Sequence, residues 1–209
     1  MLRLKILVLT NSAGGLYHFR SELLETLLGE GYDVFFCVPD IQDAMFVQLL
    51  ETVGCTYIHT PMSRRGVNPL DDIRLARQYQ KVVKEVGNTF GGIDILINSA
   101  GYADPKSLLE TTVKNWETTF KVNVGSVFLI TREVVKYIKK NGGKIINIAS
   151  TAGSTSRPGW AAYAASKAAV ISLSKTLSDE LKEYGIKVYC VSPGRCATDL
   201  RRILAPEED

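Results

Sequence analysis

Residues 4–10 read LKILVLT, an apolar run of strand length, and residues 11–15 (NSAGG) break it. Residues 19–30 then place Leu23, Leu24, Leu27 and Leu28 at helical spacing. A strand, a glycine-containing loop and a helix in that order form the first half of a βαβ unit. The same pattern continues outward from it. Residues 34–38 predict a second strand closed by Pro39-Asp40, residues 43–53 a helix, and residues 55–59 a third strand. After a breaker-rich loop over 64–70, a helix is expected over 71–85 and a fourth strand over 93–97. A short helix near Leu108 and a long one over 115–140 precede a fifth strand over 143–149. A helix over 162–184 and a sixth strand over 186–191 complete the series. Six strands alternating with helices predict an α/β fold, a parallel sheet covered on both faces. Right-handed crossovers make it a doubly wound, Rossmann-type three-layer α/β/α sandwich over residues 1–209, one domain, with its site at the carboxyl ends of the strands.

Composition narrows the function. The 209 residues are 45% hydrophobic and 22% charged, and 25 basic against 22 acidic side chains leave a formal charge of +3. A balance this even gives no reason to expect nucleic acid or an anionic membrane as partner. The basic pair Arg64-Arg65 reads as a solvated loop before it reads as a phosphate site. Cys37, Cys55, Cys190 and Cys196 have neither metal-type nor redox-type spacing, and Cys37 and Cys190 fall in apolar strands where a thiol acts as a small hydrophobe. The first residues run straight into a strand without a signal-peptide pattern, and no apolar run reaches membrane-spanning length. A cytoplasmic, soluble protein is expected.

The chemistry lies in the C-terminal half. Tyr163 and Lys167 are four residues apart at the start of a predicted helix, which puts both on one face. A phenol is a poor base at neutral pH, and an ammonium beside it favours the phenolate, as general acid–base work near pH 7 needs. Ser150 ends the fifth strand, where its hydroxyl can bond a carbonyl oxygen on which charge develops. Asn123 sits within a predicted helix, where its propensity is unfavourable. Singly, each has a plainer explanation: an amphipathic surface pair, a polar strand end, a cap or kink. Their order and spacing together are restrictive.

From about Gly87 onward the chain resembles the short-chain dehydrogenase/reductase family. The carrying elements are DILINSAG over 94–101, Asn123, IINIAS over 145–150, Tyr163-Ala-Ala-Ser-Lys167, and VSPG over 191–194 with Thr198 beyond it. Ser99 departs from the family's usual second Asn. The resemblance implies that Tyr163 exchanges a proton with substrate oxygen while a nicotinamide transfers hydride. It also implies that Lys167 lowers the Tyr163 pKa and bonds the nicotinamide ribose, that Ser150 orients the carbonyl or alcohol, and that Asn123 holds a water supporting Lys167. Pro193, Gly194 and Thr198 would touch the nicotinamide end of the cofactor, with Asn98, Ala100 and Gly101 lying along it.

The N-terminal half departs from that pattern. Where the family has Thr-Gly-x-x-x-Gly-x-Gly, this chain has Asn11 and Tyr17 in place of two glycines, with Thr10 and Gly15 retained. Those glycines let backbone amides approach a pyrophosphate at a helix N-terminus. Gly14-Gly15 can still present amides, or form a plain strand-to-helix turn. Residues 1–85 resemble instead the N-terminal Rossmann-like domain of GT-B glycosyltransferases of the capsule and exopolysaccharide type. The residues are Lys5 to Gly15, Phe19-Arg20, Gly31 to Val34, Val38-Pro-Asp40 and Arg64 to Pro69. A hybrid is expected, joined near 86–92, with a glycosyltransferase-like half (1–86) and a dehydrogenase-like half (87–209).

The resulting expectation is an NAD(P)-dependent oxidoreductase interconverting a carbonyl and an alcohol, impaired by its first loop and short C-terminus. The alternative is a non-catalytic nucleotide- or nucleotide-sugar-binding domain, or a hybrid with a structural role alone. Asp40, after the second strand, is placed to take a ribose hydroxyl or is a plain turn residue; the first reading leans to NAD over NADP. The family's seventh strand is not expected, which makes strand six an edge. The two long C-terminal helices are apolar beyond one stripe, at Val124, Val127, Phe128 and Ile130 in one and Ala165, Ala168, Val170 and Ile171 in the other. In the family this pair forms the main dimer contact, so a homodimer or homotetramer is expected.

Overall fold

The computed structural model describes residues 4–9, 13–38, 44–59, 69–138 and 142–194. Its strands are β1 (Lys5–Leu9), β2 (Asp33–Val38), β3 (Thr56–His59), β4 (Ile95–Asn98), β5 (Lys144–Ile148) and β6 (Lys187–Val191). They form one parallel sheet in the order β3-β2-β1-β4-β5-β6, the doubly wound arrangement expected. The order reverses between β1 and β4, where Leu9 is the register partner of Asn98. A crevice opens at the carboxyl ends of strands that diverge in this way, and here α1 and the turn after Asn98 flank it.

The helices are α1 (Ala13–Gly29), α2 (Ala44–Val53), α3 (Pro69–Phe90), α4 (Val113–Phe120), α5 (Ser126–Val134) and α6 (Ala161–Glu180). Alternation along each inner strand feeds the two faces. Ile6 and Val8 of β1 join Leu16, Leu24, Phe36 and Leu50 on one side. Leu7 joins Val83, Leu96, Ile130, Val134 and Ile145 on the other. β4 is buried along its whole length because helices cover both faces. β6 is the edge among the described residues, and Lys187, Tyr189 and Val191 on alternate positions are exposed.

Three elements differ from expectation. α1 begins at Ala13, so Gly14 and Gly15 belong to its first turn and not to a loop. α3 runs on through Gly87 to Phe90; a Cβ at 87 would come within 2.5 Å of the Tyr137 ring, so this glycine permits close helix packing and does not end the helix. No helix forms at Leu108. Ser107 and Glu110 close a single turn through the Glu110 carboxylate, which accepts from the Ser107 hydroxyl and amide, and Leu109 is 97% exposed.

The long helix expected over 115–140 is present in three parts. Thr112 caps α4 by accepting from the Asn115 amide at 3.1 Å. A π-turn at Lys121–Gly125 then inserts one residue before α5 continues. Such bulges occur often at functional positions, and Asn123 is at the centre of this one. Among the described residues no helix is long and apolar enough to cross a membrane.

Candidate active site

The segment leaving β5 is held against the loop after β6. Ala149 donates its amide to Val191 O at 2.8 Å, and Thr151 donates to Pro193 O at 3.3 Å. Ser150 itself is extended, with φ −164° and ψ 152°, and caps the 3₁₀ turn Thr151–Gly153 by accepting from the Ala152 amide. That turn presses onto α6 at Gly153, where a Cβ would lie 2.7 Å from the Lys167 carbonyl carbon and the Ala168 nitrogen. Only glycine allows this approach.

The first turn of α6 brings Tyr163 to Ser150, and the two hydroxyls hydrogen-bond each other. Trp160 packs edge-on against the Tyr163 ring, centroids 5.5 Å apart. Burial pushes the Tyr163 phenol above its ordinary pKa, while the Ser150 bond and the charges of Arg157 and Arg20 pull it back. One turn on, Lys167 is only 4% exposed, and its Nζ donates to Ile148 O at 2.9 Å. Burial first, then the like charge of Arg20, push the ammonium down to about 8, against an upward pull from Cys190.

This differs in part from the expected division of labour. Lys167 shares the face with Tyr163, as the spacing requires, with Nζ 5.8 Å from the ring centroid. The charges that act on the phenol, however, are those of Arg157 and Arg20. Arg20 is not among the site residues expected from the sequence. It interrupts the buried stripe Ala13, Leu16, Leu24 of α1, and a charge at such a position was the available signal.

Asn123 is fully buried and fully bonded. Its Oδ1 accepts from the Tyr102 amide at 2.7 Å, and its Nδ2 donates to Tyr102 O at 3.0 Å and to Ser166 Oγ at 2.8 Å. The two amide hydrogens are thereby used within the protein.

The Asn98–Gly101 segment reaches the same place by its main chain. A Cβ on Gly101 would stand 3.8 Å from Lys167 Nζ, and Ala100 is half-buried beside it. Asn98 is tied in by its side chain: its Nδ2 donates to Thr131 Oγ1 at 3.2 Å and to Asn147 Oδ1 at 2.8 Å. Pro193 lies next to Thr151, and Gly194 is exposed with open space around it. Gly14 and Gly15 head α1 beside the end of β1, and a Cβ on Gly14 would approach the Phe46 ring to 3.1 Å. Asp40 and Thr198 lie outside the described residues.

The site therefore joins a half-buried hydroxyl pair, a buried ammonium and three main-chain segments at the carboxyl ends of β1, β4, β5 and β6. Its residues suit proton exchange at a substrate oxygen. A nicotinamide dinucleotide fits the donors present: a buried ammonium with a glycine beside it, and helix-terminal amides at Gly14-Gly15.

Residues 5–209 match the family model for short chain dehydrogenase. That match takes in the N-terminal half, and the comparisons give no support to a glycosyltransferase origin for it. Among curated proteins the chain is 37% identical over 156 residues to a 3-oxoacyl-[acyl-carrier-protein] reductase of Haemophilus influenzae, covering 74% of this chain and 64% of that protein. It is 37% identical over 139 residues to a 2,3-dihydro-2,3-dihydroxybenzoate dehydrogenase of Bacillus subtilis, covering 66% and 53%. The chain spans between half and two thirds of the length of such relatives. Among solved structures, a dehydrogenase/reductase from Sinorhizobium meliloti superposes with a TM-score of 0.78 at 29% identity, over 95% of this chain and 75% of that one. An NAD+-bound xylitol dehydrogenase superposes with a TM-score of 0.76 at 25% identity, over 91% and 70%.

Proposed function

The chain belongs to the short-chain dehydrogenase family, and from that premise we propose that it is an NAD(P)-dependent oxidoreductase interconverting a carbonyl and an alcohol. The observation that carries the reading is the half-buried Ser150–Tyr163 hydroxyl pair with the buried Lys167 one helical turn away. A substrate oxygen within reach of both hydroxyls exchanges its proton with Tyr163, while Ser150 fixes its direction. Arg157 and Arg20 supply positive charge, which favours the phenolate at the moment the proton leaves. The nicotinamide supplies the hydride. Gly14, Gly15, Ala100, Gly101, Pro193 and Gly194 line its path, joined by Asp40 and Thr198, and Lys167 takes its ribose. Asn123 supports Lys167 through its main chain, since its amide is committed elsewhere.

Residues 1–209 serve as one Rossmann-type domain. Its first three strands occupy the places that a dehydrogenase needs for the adenosine side. Both dinucleotides occur in the names of similar proteins: a chloroplastic NADPH-dependent aldehyde reductase-like protein of Arabidopsis thaliana, 43% identical over 111 residues, and the NAD+-bound xylitol dehydrogenase. Asp40 leans the choice to NAD. The substrate is a small molecule, the setting cytoplasmic, and the assembly a homodimer or homotetramer through α4, α5 and α6, where Val113, Trp116 and Phe128 stand exposed.

Oxidation of NADH and of NADPH is followed with small ketones, aldehydes and acyl thioesters, parent against Tyr163→Phe. The variant should lose turnover and keep cofactor binding, because only the proton donor is removed. Residual turnover above about a tenth of the parent removes Tyr163 from its role. Binding of dinucleotide, or of a UDP-sugar, without turnover by the parent favours the non-catalytic alternative. Light scattering that gives a monomer at micromolar concentration contradicts the assembly.

A further inference from the structure

Helix α6 is fastened at two buried points of the same design. At each, an asparagine Nδ2 donates to a serine hydroxyl, and that hydroxyl donates to a main-chain carbonyl one turn back on α6. The lower fastening runs from Asn147 to Ser174 (2.9 Å) to Val170 O (2.7 Å), two helical turns along α6 from Lys167. The upper one runs from Asn123 to Ser166 (2.8 Å) to Tyr163 O (2.7 Å). Ser166 and Ser174 are both almost fully buried.

We propose that Ser166 is a positioning residue for the Tyr163–Lys167 pair, coupling the first turn of α6 to the π-turn at Asn123 and, through Asn123, to the chain after Gly101. The inference rests on the oxidoreductase reading for its consequence and on geometry for its substance. Ser166 stands between Tyr163 and Lys167 in sequence and bonds the main chain of the former. Its other partner, Asn123, holds both the amide and the carbonyl of Tyr102. A single hydroxyl thus sets α6 against two other elements that border the crevice. Gly153 fixes the third border, where the turn carrying Ser150 rests on Lys167 and Ala168. With Ser166→Ala, one Asn123 hydrogen is left buried without an acceptor, and the Tyr163 turn is free to shift against Ser150.

The Ser174 fastening is the internal control, since its loss should cost stability and leave the reacting groups in place. The full chain and its Ser166→Ala and Ser174→Ala variants are titrated by ultraviolet difference absorbance, each against its own Tyr163→Phe counterpart, to isolate the Tyr163 phenol. This readout needs no turnover. Ser166→Ala should raise the Tyr163 midpoint by roughly half a pH unit or more, as the Ser150 bond that favours phenolate is lost, and Ser174→Ala should leave it in place. Where the parent reduces a carbonyl, Ser166→Ala should lower kcat about ten- to a hundredfold with little change in cofactor KM. If Ser166→Ala does not fold, Ser166→Cys, a weaker hydrogen-bonding group of similar size, should give a smaller rise. An unmoved midpoint in whichever Ser166 variant folds, or an equal movement in Ser174→Ala, overturns the proposal. A parent that turns over no carbonyl defeats the functional reading, and the titration still decides the role of Ser166.

Discussion

The Lys167 ammonium is held by the carbonyl of Ile148, 2.9 Å away at the last residue of β5. This bond fastens the catalytic helix to the strand that delivers Ser150, and it keeps a cation inside the protein. The cost of that burial is visible in the pKa, which falls from 10.5 to about 8.

The shift gives stability a pH dependence of defined sign. Below pH 8 both folded and unfolded chains carry the Lys167 proton, and the penalty for burying the charge is complete. Between 8 and 10.5 the unfolded chain binds a proton that the folded chain does not, so folding becomes more favourable as pH rises. Cys55, raised by burial to about 11, and Tyr79, raised by burial to about 12, act in the opposite sense above pH 9 and 10. Between 8 and 9 the Cys55 contribution is small and common to the parent and Lys167→Met, so it cancels between them. Denaturant titrations should show the parent gaining up to about 1 kcal/mol across this window relative to Lys167→Met. Equal slopes in the two proteins would mean that the lysine is solvated.

Arg20 supplies the second prediction. Its charge lowers the pKa of both Tyr163 and Lys167. Arg20→Leu fits the apolar stripe of Ala13, Leu16 and Leu24, so the fold should persist. Both groups should then titrate higher, Tyr163 because a favourable charge is gone and Lys167 because a repulsive one is gone. Any turnover of the parent should need a higher pH in the variant, read as a shift of the kcat–pH profile. A profile that stays in place puts Arg20 outside the site.

How much of this was legible in the sequence follows from what each feature depends on. The sheet and its order come from apolar periodicity, which survives substitution of individual residues; all six strands lie where the runs at 4–10 through 186–191 placed them, within about two residues. The Tyr163–Lys167 face follows from helical spacing alone. The fate of Asn98 does not, because its partners Thr131 and Asn147 are 33 and 49 residues away and only the fold brings them together. The run of α3 past residue 85 is hidden for the same reason: Gly87 is accommodated there because Tyr137, in the turn after α5, packs against it. The short helix expected near Leu108 is replaced by a turn that the side-chain bonds between Ser107 and Glu110 close.

Gly153 carries the third prediction. An alanine there would bring its Cβ to 2.7 Å from main-chain atoms of Lys167 and Ala168 and 3.0 Å from Ile171 Cδ1. Main chain inside a helix cannot yield, so the Thr151–Gly153 turn must lift, and Ser150 moves with it. Gly153→Ala should cost about 1–3 kcal/mol in chemical denaturation. It should also lower kcat more than it raises cofactor KM, because the displaced hydroxyl belongs to the reacting pair and not to the cofactor path. A variant with parental stability and rate would show that the turn has room the geometry denies.

The last prediction concerns the first turn of α1. Tyr17 stands where the family has a glycine. Its ring lies against Phe46, centroids 5.8 Å apart, and Phe46 also packs on His18 at 5.0 Å. Phe46 comes within 3.1 Å of the place a Gly14 Cβ would take, so an aromatic cluster abuts the glycines that must offer their amides. Approach of a pyrophosphate there competes with apolar contacts already made. We expect dinucleotide binding with Kd on the order of 1 mM, worth only about 4 kcal/mol. Tyr17→Gly and Phe46→Ala each loosen the cluster and should tighten binding about tenfold. Tyr17→Gly adds a helix penalty of up to about 1 kcal/mol, so its midpoint temperature should fall even as its affinity rises. Calorimetric titration of the three proteins with NADH and NADPH decides the matter: micromolar binding by the parent would show that Gly14-Gly15 suffice as a cradle with the cluster in place.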